Sequence, residues 1–531
     1  MKKIIYLAFA SLLSLTAAAQ PHHEVTESYQ KFAQLLLYIN SHYVDSAGIG
    51  KLTEKAIIAT LQNLDPHSTY LNADEFKTSN EPLEGNFEGV GIEFNILNDT
   101  LTVVSPISGG PSQAVGIRAA DRIVTVDNEN IAGVGLTNAQ VLKYLRGPKG
   151  TKVSLTIARK GVPQPLSFTV VRDKIPIHSV DAAYEVQPGM AYIRLGRFSL
   201  TTLDEMKEAM KKFKKTPASM ILDLRNNSGG VFKTSVDLCN QFFDAGHLLV
   251  YTEGLHYPKT MELSGNDGFF KAGKLVVLLD EGSASASEIV AGCIQDWDRG
   301  ILIGRRSYGK GLVQQLLPLT DGSQIRLTVA RYHTPTGRLI QRPYNAGETE
   351  KYYADLYKRA LHGEFFSRDS IRFPDTLKYY TLSKQRVVYG GGGIMPDIFM
   401  PRDTTGYSKY YDHLVRAGLL HQFTMEYADT HRSRLEKNYK TIAGFDKQFY
   451  ITDDIFEQFL AYAEKQGVAR DAKGLEISGN DMRLQLKALL ARTLWDTGAY
   501  YEIINKRLDK EFIKAVEVLN NWSYYAPEIL F

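Results

Sequence analysis

A multidomain α/β plus β architecture with helical regions at both ends is what the 531-residue chain predicts. Three observations carry that expectation. Residues 86–174 turn to short strands of alternating polarity, whereas 175–402 interleave apolar strands with amphipathic helical runs. The flanks, 20–85 and 403–531, instead space their apolar residues by three and four. An apolar content of 44% supplies ample core, and a formal net charge of only +3 without basic runs argues against nucleic acid as a partner.

Taken in order, the chain opens with "MKK", the apolar "IIYLAFASLLSLT" and "AAA" at 17–19. That is the pattern of a secretory signal peptide over 1–19, cut after Ala19, and it predicts a periplasmic or secreted mature protein. No later stretch is apolar enough for a membrane span. "YQKFAQLLLYINSHYV" and "KLTEKAIIATLQNL" read as helices, the second broken at Asp65-Pro66. His67 reads as a turn or packing residue, since no second ligand stands at metal-site spacing.

"VGIEFNI", "LTVVSPI", "DRIVTVDNENI", "KVSLTIAR" and "LSFTVVR" then alternate as strands, with one late helix, "TNAQVLKYL". A module of ~90 residues of this kind is a common size for a peptide-binding domain. The strands "MAYIRL", "SMILDLR", "KLVVLLD" and "GILIG" alternate with helices such as "LDEMKEAMKKFKK" and "SEIVAGCIQDW", and a hairpin follows around "TDGS". Residues 342–386 read as an insertion with one helical piece, "KYYADLYKRAL". Two cysteines, Cys239 and Cys293, make no disulfide framework, and Cys293 reads as a buried thiol.

The chemistry concentrates where "KLVVLLD" runs into "EGSASASEIVAGCIQDW". Ser285 and Glu288 fit a capping box at the start of a helix. A side chain at such a strand-to-helix turn is held rigidly at the sheet's end, beside the N–H groups of the first helical turn. Ser285 is therefore either a cap alone or a nucleophile; Ser283 falls in the turn and Ser287 inside the helix. A nucleophilic serine needs a base, and no histidine lies between His256 and His333. Lys310, between Gly309 and Gly311, offers one if burial among Tyr308, Leu312 and Val313 keeps it neutral. Gly304 to Lys310 also matches the opening of a phosphate-binding loop, but Gly311 stands where Ser or Thr is required and a strand pattern follows. The third piece is "DLRNNSGG" at 223–230, whose paired glycines can turn N–H groups into one pocket or merely make a turn.

Together, "LDPHSTYL", "GVGIEF", "AVGIRAADRIVTVDNENI", "DLRNNSGG", "GSASASEIVAGCIQD", "SYGKGLVQQ", "YHTPTGRLIQ" and "GIMPD" resemble, in order, the carboxy-terminal processing peptidases, or tail-specific proteases. The resemblance spans most of residues 30–400 and implies a ClpP/crotonase-like α/β protease core with a PDZ domain at 86–174. It implies Ser285 as nucleophile, Lys310 as general base and Gln314 as the residue orienting the lysine. It puts Ala286 and one of Gly229 or Gly230 at the oxyanion hole, and Asp296 in structural support. It further implies capture of a peptide carboxylate by Gly89, Val90, Gly91 and Ile92, substrates with apolar C-termini, and no metal or cofactor. Ala120 and Asn128 depart from the glycines usual in the family's PDZ turns. The helical tail is left open between docking, capping the site, building a homo-oligomer and recruiting an adaptor. A PDZ-based scaffold on a degenerate protease fold is the alternative to an enzyme; the intact Ser285, Lys310 and Gln314 set counts against it.

Overall fold

The computed structural model describes residues 23–530 apart from 98 and 108. The expected signal peptide lies outside the described residues. Residues 23–42 are helical, followed by helices Ile49–Gln62 and Ala73–Glu84. Between the last two, Thr69–Leu71 departs from the helical expectation and forms a strand, because it pairs antiparallel with Arg326, Ile325 and Gln324.

The central sheet runs Val180–Gln187, Met190–Leu195, Ser219–Asp223, Lys274–Leu279, Ile301–Gly304 and Ile398–Phe399. Its first pair is antiparallel and the rest parallel. The middle strands are apolar throughout because both faces are covered. Leu222, Val277, Leu279 and Leu302 pack on one face with helices Phe232–Cys239 and Ala286–Asp296. Their alternates Ile221, Val276, Leu278 and Ile303 pack on the other against Phe512, Ala515, Val518 and Leu519 of the C-terminal helix Lys510–Asn520. The tail thus supplies one layer of the core around this sheet. Cys239 and Cys293 are free and buried, as expected.

A second, antiparallel sheet joins Thr69–Leu71, Gln324–His333, Leu248–Gly254, Tyr257–Leu263 and Leu312–Pro318. The pairing of Leu312–Pro318 with Gln324–His333 is the hairpin expected from the sequence. A loop, then this strand, follows Gly304, so no phosphate-binding loop and helix form there.

Residues 86–174 contain an antiparallel sheet in the order Ile92–Leu97, Thr100–Pro106, Arg122–Val126, Lys152–Ala158, Leu166–Val171. Helix Asn138–Leu145 starts at a Thr137/Gln140 capping box and buries Val141 and Leu145 in that core. Ala120 and Asn128 take the left-handed turn conformation themselves, at φ of 69° and 70°. Ile92–Leu97 is an edge strand, entered through Gly91 at φ 75°. The tail also reaches this unit: Arg492 lies 3.3 Å from Glu93, and Lys160 Nζ donates to Thr430 at 2.9 Å. Among the described residues, no helix is long and apolar enough to cross a membrane.

Candidate active site

Ser285 ends the turn after strand Lys274–Leu279 and precedes helix Ala286–Asp296. Its backbone stands at φ 54° and ψ −113°, a region that non-glycine residues enter at a cost of about 1–3 kcal/mol. The extended backbone usual at an N-cap is therefore absent. What holds the strained turn is its neighbours. The Ser285 carbonyl accepts from the N–H groups of Glu288 at 2.8 Å and Ile289 at 3.0 Å, and the Ser285 N–H donates to the Glu288 carboxylate at 2.9 Å.

Glu288 does more than the sequence suggested. Its carboxylate is fully buried and accepts, besides the Ser285 N–H, the Ser307 hydroxyl at 2.6 Å and the N–H groups of Gly309 at 2.6 Å and Lys310 at 2.9 Å. Burial raises its pKa, and these donors oppose the shift. On the other side the buried Tyr332 hydroxyl lies 3.1 Å from the Ser285 carbonyl and 2.6 Å from that of Lys310. The main chains of Ser285 and Lys310 are thus pinned to each other by a carboxylate and a phenol. In the sequence Tyr332 is visible only as the opening residue of "YHTPTGRLIQ", and Glu288 only as a capping residue.

Lys310 Nζ donates to Gln314 Oε1 at 2.9 Å, and Gln314 Nε2 donates to the His67 carbonyl at 2.5 Å. This places "LDPHSTYL" in contact with the site. Burial, assisted by the charge of Arg326 and opposed by Glu288 and Asp65, lowers the Lys310 pKa to about 8. The His67 ring lies 2.9 Å from the Tyr352 hydroxyl of helix Thr349–Leu361. Burial first, then the charge of Lys310, lowers its pKa to about 4, so it is neutral at physiological pH.

Loop 224–230 is laced to the serine turn. Asn226 N–H donates to Asp280 at 2.8 Å, Ser283 Oγ to the Leu224 carbonyl at 2.8 Å, and Ser287 Oγ to the Asn227 carbonyl at 2.8 Å. The flanking serines therefore hold the loop, a task their places in the turn and the helix do not reveal. Gly229 lies so close to this turn that a Cβ would stand 2.7 Å from the Ala284 oxygen and 2.9 Å from Ser285 Cβ. Its N–H, however, donates to Asn227 Oδ1 at 2.9 Å. Among the described residues, neither Ala286 N–H nor Gly230 N–H donates a hydrogen bond.

Ser285, Lys310, Gln314, Gly229 and Gly230 all line one cavity of about 640 Å³. Asp296 is elsewhere: fully buried, it pairs with Arg338 at 2.5 Å and accepts from Thr336 N–H at 2.9 Å and Oγ1 at 2.7 Å. Gly89 ends strand Asn86–Gly89, and Val90 and Gly91 lead from it into Ile92, the first residue of the PDZ-like edge strand, the Val90 carbonyl accepting from Ser112 Oγ at 2.6 Å. Among the described residues, no cluster of His, Cys, Asp and Glu has the makings of a metal site.

The model of peptidase family S41 matches residues 189–347, that of the PDZ domain residues 102–159, and that of a family of unknown function residues 410–496. The carboxy-terminal-processing protease of Bartonella bacilliformis is 35% identical over 354 residues, 64% of this chain and 80% of that protein. The carboxy-terminal processing protease CtpB of Bacillus subtilis is 32% identical over 340 residues, 62% and 69% of the two chains. Among solved structures, a photosystem II D1 C-terminal processing protease is 30% identical, over 58% of this chain and 88% of its own, with a TM-score of 0.33. On the strength of the family match and a relative 35% identical over 80% of its length, the chain belongs to peptidase family S41 and is a serine-type peptidase that carries a PDZ domain.

Proposed function

We propose that the protein is an exported endopeptidase that binds the C-terminal tails of protein substrates through its PDZ domain and cleaves them with a Ser285/Lys310 dyad. One observation carries the reading. Ser285 and Lys310 face one cavity, locked together through Glu288 and Tyr332, with the lysine depressed to a pKa of about 8. Ser285 Oγ attacks the scissile carbonyl carbon while Lys310 Nζ takes its proton. The resulting oxyanion accepts hydrogen bonds from Ala286 N–H and a glycine N–H of loop 229–230. Of the two glycines, Gly230 has its N–H available without displacing Asn227. As the tetrahedral species collapses, the C–N bond breaks and Lys310 returns its proton to the leaving amine. Lys310 then deprotonates a water that attacks the acyl-enzyme, and the new C-terminal acid leaves as Ser285 regains a proton. Gln314 orients the lysine throughout, and Asp296 supports the turn at Thr336 rather than the reaction.

Cleavage of a protein with an apolar C-terminal tail by the wild type, and its loss in both Ser285→Ala and Lys310→Ala, is the expected result. Retained cleavage in either variant sinks the dyad. Ser283→Ala, which loses a buried hydrogen bond but no reacting atom, keeps measurable turnover. For the PDZ loop, amidating the substrate's C-terminus slows cleavage; equal rates would refute carboxylate capture at Gly89–Ile92. Export is read from the leader at 1–19, and fractionation of cells expressing the full chain checks it.

A further inference from the structure

The catalytic cavity is lined by three cationic side chains, Lys310, Arg197 and Arg326, and by no carboxylate. Lys310 has its assigned work and a partner in Gln314. The two arginines have neither. Among the described residues, Arg326 makes no ion pair or side-chain hydrogen bond, although burial lowers its pKa and its charge bears directly on Lys310. Arg197 Nε is buried without a hydrogen-bond partner, and its guanidinium feels Asp181 only through space. Elsewhere desolvated arginines have partners: Arg225 pairs with Asp509 at 2.6 Å, Arg338 with Asp296 at 2.5 Å and Arg305 with Glu281 at 2.7 Å, while Arg299 donates to the carbonyls of Phe242, Gly273 and Phe270.

A partly desolvated guanidinium without a counter-ion is costly, and more so beside other cations. A planar carboxylate that accepts two parallel N–H bonds is the ligand such a group fits best. Of the other residues lining the same cavity, Ser79, Asn226 and Ser228 add neutral hydrogen-bonding capacity, while Pro82 and Leu83 add apolar wall.

Resting on the Ser285/Lys310 reading, we propose that Arg197 and Arg326 form an anion subsite that selects substrates bearing a carboxylate close to the scissile bond. The carboxylate has two sources: an acidic side chain flanking the bond, or the free C-terminus of a short tail being removed.

Three sets of internally quenched peptides test this on the full chain. The first is neutral with an amidated C-terminus. The second is its free-acid form, and the third is amidated with aspartate placed in turn at each position flanking the bond. The readout is the ratio of kcat/KM for a charged peptide to that for the neutral one, measured in the same enzyme. That ratio cancels any effect of Arg326 on the lysine's protonation. Wild type favours one charged set by about tenfold, as a charge-assisted pair implies, and the preference falls toward one in both Arg326→Gln and Arg197→Gln. Arg326→Lys keeps part of it. A loss confined to the aspartate peptides identifies a side chain; a loss confined to the free-acid peptide identifies the terminus. A free-acid preference that neither variant alters belongs to the PDZ loop and overturns the subsite, as does the absence of any charge preference in wild type. The dyad reading fails separately, if Ser285→Ala still cleaves the neutral peptide.

Discussion

In the proposed dyad Lys310 serves as a base only while neutral, and its pKa of about 8 decides when that is. Below that value protonation removes the base, so kcat/KM should climb about tenfold per pH unit and level off above roughly pH 9. Replacing Arg326 by Gln removes one of the two influences that lower the pKa, so the acid limb should move to higher pH. A pH–rate profile on the neutral amidated peptide checks both; an unmoved limb would show that burial alone sets the lysine. Glu288 holds position, and its charge also opposes the lowering of the Lys310 pKa. In Glu288→Gln one acceptor oxygen becomes an NH₂ donor, facing a shell that consists of donors. An unsatisfied buried donor costs about 1–3 kcal/mol, so kcat should drop ten- to a hundredfold with KM little changed. Steady-state kinetics beside a thermal melt separate this from simple unfolding, since Ser285→Ala should keep the wild-type melt. The strand-to-helix turn in the sequence favours Ser285 over Ser283 and Ser287, and the proposed dyad rests on that choice. The tasks of the other two, bonding Leu224 and Asn227, depend on a loop some sixty residues earlier, and no local pattern reveals such contacts.

At the scale of elements, the glycine loop is the most constrained piece, and its two glycines do different work. At Gly230 a Cβ would stand 1.9 Å from the Phe198 oxygen with φ at 145°, a clash with backbone that no rotamer relieves. Gly230→Ala should therefore prevent folding or sharply lower the melting temperature. At Gly229 the Cβ would press on Ala284, Ser285 and Ala286 at 2.7–2.9 Å. Gly229→Ala should leave the far-ultraviolet circular dichroism near wild type while removing activity, because the strain falls on the serine turn. Helix Thr349–Leu361 makes a related case. The sequence marks it only as part of an insertion, yet Tyr352 is buried against His67, whose carbonyl holds Gln314. The central strands, the hairpin and the helix after Ser285 were readable from periodicity. The strand Thr69–Leu71 was not, since three residues carry no period and its partners, Arg326, Ile325 and Gln324, lie far along the chain.

At the scale of the molecule, the tail is where sequence and structure differ most in what they disclose. Helical spacing announced helices but not where they dock. The structure lays Lys510–Asn520 across the sheet face opposite helix Ala286–Asp296, and the lining of the catalytic cavity contains no residue beyond Tyr332. Docking, rather than capping the site, is what the tail does in the described structure. The start of helix Lys510–Asn520 also reaches the roots of the glycine loop and the serine turn. Asp509 pairs with Arg225 at 2.6 Å, Glu511 with Arg225 at 2.6 Å and with Arg305, and Arg305 with Glu281 at 2.7 Å. Arg225 leads into the glycine loop and Glu281 into the serine turn. Two substitutions separate packing from positioning. Phe512→Ala removes a buried ring from the apolar face and should cost about 3–5 kcal/mol of stability, with turnover of the folded enzyme nearly unchanged. Glu511→Gln keeps the shape and leaves Arg225 with Asp223 and Asp509, so it should cost only about 1–3 kcal/mol. If the charge cluster positions the loops, Glu511→Gln should nonetheless lower kcat more than Phe512→Ala does, when both are assayed well below their melting temperatures. Equal kcat in the two variants would reduce the tail to a covering layer; the opposite order would place its influence on the sheet rather than on the loops.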